Sequence, residues 1–150
     1  MPRNILQGIS PKLAELVEAA TDEQKRAICV PICKLAVMRT GLNEPLVSKA
    51  LQLLENGAFK DQQLTAALEQ RFGDLDESYF AAEELYKAGK GTEDAYIALA
   101  RKARAVDSVL LAFNDDPFKA ATWSIYEACA ALGEAEQVEA IVKDMLANSR

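Results

Sequence analysis

The chain has 150 residues, of which 50% are hydrophobic and 27% charged, a balance that is typical of a globular rather than a disordered chain and predicts one domain over residues 1–150. It has no histidine, which removes the commonest general base and the commonest transition-metal ligand of enzymes. The net charge of −6 argues against nucleic acid as the main ligand, because an acidic surface repels phosphate.

Neither a membrane segment nor a disulfide framework is indicated. No apolar run approaches the roughly 20 residues of a membrane-spanning helix. Met1 to Gln7 lack the basic and apolar regions of a signal peptide. The three cysteines are an odd number without paired spacing. We therefore expect a cytoplasmic protein that has no membrane contact and needs no cofactor.

Start and stop signals in the N-terminal half predict four helices. They begin at Ser10-Pro11, at Thr21 or Asp22, at Asn43 or Glu44 before Pro45, and at Asp61, and the fourth ends at Phe72 before Gly73. From Ala27 to Met38 the second helix is almost wholly apolar, which is typical of a buried helix. Pro31 lies inside it and should kink or split it, because the proline ring blocks the carbonyl four residues back.

Four more helices are predicted in the C-terminal half. They run from Asp76 to Ala88, from Thr92 to Phe113, from Asp116-Pro117 to Gly133, and through Val138 to Met145. The stretch Gly89-Lys90-Gly91 is the clearest loop. The helix after Thr92 is expected to be the longest, because its apolar residues are spaced three and four apart without a break.

About eight helices with no strand signal predict an all-α fold, either an antiparallel multi-helix bundle or a short stack of helical hairpins. We expect helix in at least about two-thirds of the residues. The predicted core consists of Ile28, Ile32, Leu35, Leu99, Val106, Leu110, Ile125 and Ile141. Replacing Leu110 by alanine is then expected to cost about 2–5 kcal/mol of stability.

The cysteines suggest packing rather than chemistry. Cys29 and Cys33 are four residues apart and share one helical face, where Cys129 could join them. Three thiolates would still lack the fourth protein ligand or histidine that zinc usually takes, so we predict no bound metal. The favoured interpretation is that all three are small buried residues of the core.

Acidic pairs recur at predicted helix starts, where carboxylates accept hydrogen bonds from free backbone N–H groups and offset the helix dipole. They are Asp22-Glu23, Asp76-Glu77, Glu93-Asp94, Asp115-Asp116 and Glu134 with Glu136. Residues 1–75 contain nine Lys or Arg and nine Asp or Glu, whereas residues 76–150 contain eight and fourteen, so the second half carries the whole net charge. Capping does not explain this excess, which favours a basic protein partner, or only solubility.

Arg101, Lys102 and Arg104 are the one compact basic group of the acidic half, and we expect them to pair with nearby acids or to balance their own helix. Trp123 and Tyr126, with Phe113 and Phe118, form the densest aromatic group. Core packing is the favoured interpretation of these aromatic residues. The alternative is that one of them lines a groove for a partner.

The alternative defines the predicted partner-binding site. Four carboxylates would form a rim beside the aromatic pair, steering a basic partner towards an aromatic anchor. The residues of this predicted site are Glu83, Glu84, Asp115, Asp116, Trp123 and Tyr126.

Two segments resemble all-helical bacterial immunity-type proteins. The segment from Leu111 to Met145, with Asn114-Asp115-Asp116-Pro117, Tyr126-Glu127-Ala128 and Cys129-Ala130-Ala131-Leu132, is similar to their C-terminal helices. Residues 25 to 54, with Lys49-Ala50-Leu51 and Leu53-Leu54, are similar to their early helices. The resemblance covers less than half of the chain and implies a protein that binds and blocks a cognate toxin without catalysis. No site residue is carried over from it.

Taken with the charge distribution, these features predict a non-enzymatic protein-binding domain. It would be an inhibitor or immunity protein whose acidic C-terminal half neutralises a basic partner. The alternative is a helical adaptor or structural protein that acts as a homodimer. An enzyme that uses only carboxylates, tyrosine or cysteine is the least favoured hypothesis.

Overall fold

The computed structural model describes residues 3–148, which form seven α-helices and one short 3-10 helix and, over that range, no β-strand. Helix makes up 79% of the structure. The predicted all-α fold is therefore confirmed. After the 3-10 helix Ile5–Gly8, the elements are α1 Pro11–Ala19, α2 Asp22–Arg39, α3 Pro45–Glu55, α4 Gln62–Lys87, α5 Glu93–Leu111, α6 Pro117–Leu132 and α7 Glu136–Asn148.

Side-chain caps determine where most helices begin. In five helices the capping residue accepts a hydrogen bond from a backbone N–H of the following turn, and these residues are Ser10, Thr21, Asp61, Thr92 and Asp116. Acidic residues follow the caps of α2 and α5, as the helix dipole favours. The pair Asp76-Glu77 does not fit this explanation, because it lies inside α4 rather than at a helix start.

α4 replaces two predicted helices. Gly73 was expected to end one helix and Asp76 to begin the next, but the helix continues through both. A glycine inside a helix costs only about 1 kcal/mol relative to alanine, and burial of Leu68 and Leu75 on either side of Gly73 offsets that cost. α4, with 26 residues, is therefore the longest helix of the described chain, where the sequence had favoured α5 with 19.

α2 is continuous from Asp22 to Arg39, so Pro31 does not split it. Only one side of this helix is buried, and that side includes Ile28, Ile32 and Leu35. Ala27 is exposed on the other side, and the Met38 side chain is 69% exposed. The prediction of a helix buried all round was wrong, because α2 lies at the edge of the core rather than in its middle.

α4, α5 and α6 run antiparallel in chain order, with α5 in the middle. Tyr79 on α4 packs against Tyr96 on α5, and Arg104 on α5 reaches Glu127 on α6. α2 and α3 cover one face of this three-helix layer. α1 and the 3-10 helix pack against α6, and α7 packs against α1 and α2.

The core lies between this layer and α2. Of the predicted core residues, Ile28, Ile32, Leu35, Val106 and Ile125 are buried. The remaining three, Leu99, Leu110 and Ile141, are half-buried and pack against the edge of the core. Within residues 3–148 no helix combines the length and the apolar content that a membrane span requires.

Candidate functional site

The structure does not bring the four predicted rim carboxylates together. Glu83 and Glu84 lie near the C-terminal end of α4, whereas Asp115 and Asp116 precede α6. The antiparallel helix α5 connects these two regions, and it spans about 22 Å from Tyr96 to Leu111 at 1.5 Å per residue. The predicted rim is therefore two separate acidic regions at opposite ends of the layer.

Two of these four carboxylates have roles inside the molecule. The Tyr79 hydroxyl donates to Glu83 at 2.8 Å and the Lys87 ammonium group donates to it at 3.3 Å. The hydrogen bond from Tyr79 is the main reason that the pKa of Glu83 is lowered. Asp116 caps α6 by accepting a hydrogen bond from the backbone N–H of Phe118. Glu84 and Asp115 carry exposed carboxylates.

The predicted aromatic group is divided between core and surface. Phe113 is buried, and Tyr126 and Phe118 are half-buried. Trp123 is 43% exposed, and its ring meets the ring of Tyr126 edge-on with 6.2 Å between centroids. The core interpretation is thus wrong for Trp123, because the exposed stripe of α6 passes through that position.

Arg104 connects the three helices of the layer. Its guanidinium donates to Asp76 on α4 at 3.2 Å and to Glu127 on α6 at 3.3 Å. It also lies over the Phe72 ring, 4.9 Å from the centroid. The expectation that this basic group pairs with nearby acids is confirmed for Arg104. Arg101, one turn earlier, approaches Gly133 at the C-terminal end of α6, where a cation offsets the helix dipole.

The carboxylates around Arg104 outnumber it. Asp107 follows one turn later on α5 and interacts with Glu127, and burial raises the pKa of both carboxyl groups. The charge of Asp107 raises the pKa of Glu127 further, although Arg104 partly opposes this. One guanidinium therefore faces three carboxyl groups, those of Asp76, Glu127 and Asp107. This partly buried site therefore lacks positive charge.

Exposed aromatic side chains lie on both sides of this charge cluster. Phe80 is four residues after Asp76 on the same face of α4, and its side chain is 57% exposed. Trp123 is four residues before Glu127 on the same face of α6. We call this surface the outer face, because α2 and α3 cover the other side of the layer. It consists of Asp76, Phe80, Arg104, Asp107, Trp123 and Glu127.

Past the outer face, α4 and α5 continue as a two-helix arm. None of the residues from 76 to 102 is buried. Tyr96 packs between Tyr79 and Tyr86 with its ring tilted against both, and the ring centroids are 6.1 and 5.3 Å away. Leu85 and Tyr86 are 51% and 40% exposed. The arm therefore exposes apolar surface that no third helix of the described chain covers.

The three cysteines are free and buried, which confirms that they pack in the core. The Cys33 thiol lies 3.3 Å from the Ser124 hydroxyl. Burial raises the pKa of Cys29 and Cys33 well above the ordinary thiol value and raises that of Cys129 to about 11. Protonated thiols are poor nucleophiles and poor metal ligands. The side chains of residues 3–148 contain no group of three or more His, Cys, Asp or Glu arranged to hold a metal ion.

The outer face was only partly visible in the sequence. The acidic excess and Trp123 are evident from the sequence, but nothing in the sequence connects Phe80, Asp76 and Glu127 with them. The four-residue spacing within each helix is readable from the chain, whereas the position of α4 and α6 on either side of α5 is not. Comparison of the chain with protein-family models, with curated proteins and with solved structures found no match.

Proposed function

We propose that this protein is a non-enzymatic binding domain that uses its outer face to hold a protein partner with a basic surface. The observation that carries this proposal is the pair of exposed aromatic side chains, Phe80 and Trp123, on either side of a partly buried excess of carboxylates. Large aromatic residues beside desolvated charges are typical of the few positions that supply most of the binding energy in protein interfaces.

The chemistry of the outer face specifies the partner's side chains. A lysine or arginine of the partner would supply the positive charge that Asp107 and Glu127 lack. The same cation could lie over the exposed Trp123 ring, since tryptophan is the best aromatic acceptor of a cation–π contact. The acidic regions at the two ends of the layer would raise the rate of encounter without contributing much contact.

Neutralisation of a toxin, which the resemblance to immunity-type proteins implies, is the specific role that we propose for this binding. The partner would be captured from a lysate of the native host on immobilised protein, at low and at high salt. Capture should weaken with salt, because the Debye length is about 10 Å at 0.1 M and shorter above it. Inhibition of the captured protein's own activity would identify the role as neutralisation.

Matched variants test the location of the binding surface. Phe80→Ala and Trp123→Ala should each lower affinity by about 2 kcal/mol or more, mainly through faster dissociation. Leu85→Ala is the control, because Leu85 is similarly exposed on the opposite flank of α4. Charge reversal at Glu83, Glu84, Asp115 and Asp116 should chiefly slow association. A partner that binds both aromatic variants as tightly as the wild type would contradict the proposal.

A homodimer is the second candidate, and the exposed arm favours it. Two arms could pack side by side and bury Leu85 and Tyr86 in a four-helix arrangement. Sedimentation equilibrium measures this directly. A dimer that Leu85→Glu dissociates would support self-association through the arm, whereas a monomer at high protein concentration would exclude it.

A further inference from the structure

An open groove runs along the exposed side of α2, away from the outer face. Ala27, Val30 and Pro31 of α2 line it together with Leu54 at the end of α3, Phe59 and Met145 on α7. Its volume is about 620 Å³, which lies within the range of roughly 300–1,000 Å³ that small-molecule sites occupy. The lining is largely apolar, so the groove suits the apolar part of a ligand.

Arg26 stands at one end of this groove and is held rigidly. Its Nη1 donates to the backbone carbonyl of Ala112 at 3.2 Å, and its Nη2 donates to that of Asp115 at 2.8 Å. The guanidinium also stacks on the Phe59 ring, 4.6 Å from the centroid. Both hydrogen-bond acceptors are neutral carbonyls, so they orient the guanidinium without neutralising its charge.

A second cation and several carboxylates surround Arg26. Lys60 borders the adjoining cavity of about 420 Å³, which also contacts Arg26 and Phe59. Glu55 forms an ion pair with Lys34 and is thereby neutralised at the far end of the groove. Glu23 and Asp115 lie at the Arg26 end and would weaken the binding of an anion there. The fixed guanidinium has the planar geometry that matches a carboxylate, and this geometry favours one anionic headgroup.

We propose that the groove binds an amphiphilic carboxylate, with the carboxylate on Arg26 and an unbranched apolar chain along Pro31 between Leu54 and Met145. The α2 residues that line the groove run from Glu23 to Pro31, a rise of about 12 Å, which suits a medium-chain fatty acid such as decanoate. This site shares no residue with the outer face, so its occupancy is tested without reference to the protein partner.

The test is a titration of the full-length protein with decanoate, followed by the NMR signals of ¹³C-labelled methionine methyl groups. The Met145 methyl should shift with saturation, because it lines the groove, while the exposed methyl of Met38 should not. Octanoate, shorter by two methylene groups, should bind about tenfold more weakly. Decyltrimethylammonium has a comparable chain and the opposite charge, and it should bind more weakly than decanoate.

Two substitutions separate the groove from nonspecific binding. Ala27→Trp should fill the groove and reduce decanoate affinity at least about tenfold, and Ala27 is exposed, so the fold should not suffer. Ala140→Trp is the matched control on the exposed side of α7. Lys60→Glu should weaken decanoate binding without touching the hydrogen bonds that Arg26 makes.

Three results would overturn the proposal. The first is the absence of a saturable Met145 shift with decanoate. The second is unchanged affinity in Ala27→Trp. The third is equal affinity for the anionic and cationic amphiphiles, which would exclude a carboxylate site at Arg26.

Discussion

Ser108 and Ser124 exchange hydrogen bonds between α5 and α6, each hydroxyl donating to the other residue's backbone carbonyl at 2.8 Å. Both residues are fully buried, and the Cys33 thiol of α2 contacts both hydroxyls. Small side chains at this crossing let the helices approach closely. The same alignment of α5 and α6 places Arg104 within reach of Glu127, so a buried contact supports the geometry of the outer face.

Removing one of these hydroxyls should destabilise the protein. Ser108→Ala should lower the free energy of unfolding by about 1–2 kcal/mol, because a buried hydrogen bond is lost and its acceptor is left less satisfied. Urea denaturation measures the change. Ser48→Ala on the exposed side of α3 is the control and should stay within about 0.5 kcal/mol of the wild type. Equal effects of the two substitutions would show that the hydrogen bonds between Ser108 and Ser124 do not stabilise the protein.

Glycine substitutions should act in opposite directions at two positions. Gly73→Ala should raise stability by about 0.5–1 kcal/mol, because Gly73 is helical and a methyl group there would meet nothing within 4 Å. Gly133→Ala should lower stability by about 1 kcal/mol or more, because Gly133 has φ +75° and its new methyl would lie 2.9 Å from Arg101. Thermal unfolding distinguishes the two. Destabilisation by Gly73→Ala would mean that α4 is interrupted at that point.

Core and edge positions should differ in their response to truncation. Ile125→Ala should cost about 2–5 kcal/mol, because Ile125 is fully buried. Leu110→Ala should cost less than the 2–5 kcal/mol expected from sequence, about 1–2 kcal/mol, because Leu110 is only half-buried. Chemical denaturation of both variants provides the comparison. A larger loss of stability in Leu110→Ala than in Ile125→Ala would contradict the observed burial of the two residues.

The raised pKa of Glu127 predicts a pH-dependent stability. The folded state holds the proton on the Glu127 carboxyl group more tightly than the unfolded chain does. The contribution of this group to the free energy of unfolding therefore falls as pH rises above the ordinary glutamate pKa of about 4.3. Glu127→Gln removes this titration, so the stability of the variant relative to the wild type should rise as the pH increases above about 4.3. Unfolding curves at several pH values measure the difference.

Glu83→Gln is the control with the opposite sign. Tyr79 lowers the pKa of Glu83, so its contribution is present at higher pH and is lost as pH falls through the lowered value. The effect should be small, because the Glu83 carboxylate is only half-buried and water screens its charge. If the stability of both variants changed with pH in the same way, the assignment of the raised pKa to Glu127 would be refuted.

Local rules determined much of the fold from sequence. Periodicity showed that every element is helical, and caps such as Ser10, Thr21 and Thr92 marked where helices begin, because these signals act between residues a few positions apart. The same rules failed at Gly73, where α4 continues, and Pro31 does not split α2. A glycine or proline weakens a helix by an amount that packing on the neighbouring turns can exceed.

The outer face depended on contacts between distant segments. The sequence by itself determined the helical character of the elements, the acidic excess of residues 76–150 and the aromatic group around Trp123. Only the tertiary structure decided that α5 separates Glu83 from Asp115, that Arg104 links Asp76 to Glu127, and that Trp123 lies at the surface. The physical reason is that helix formation follows from neighbouring residues, whereas the choice of helix neighbours follows from burying all the apolar faces together.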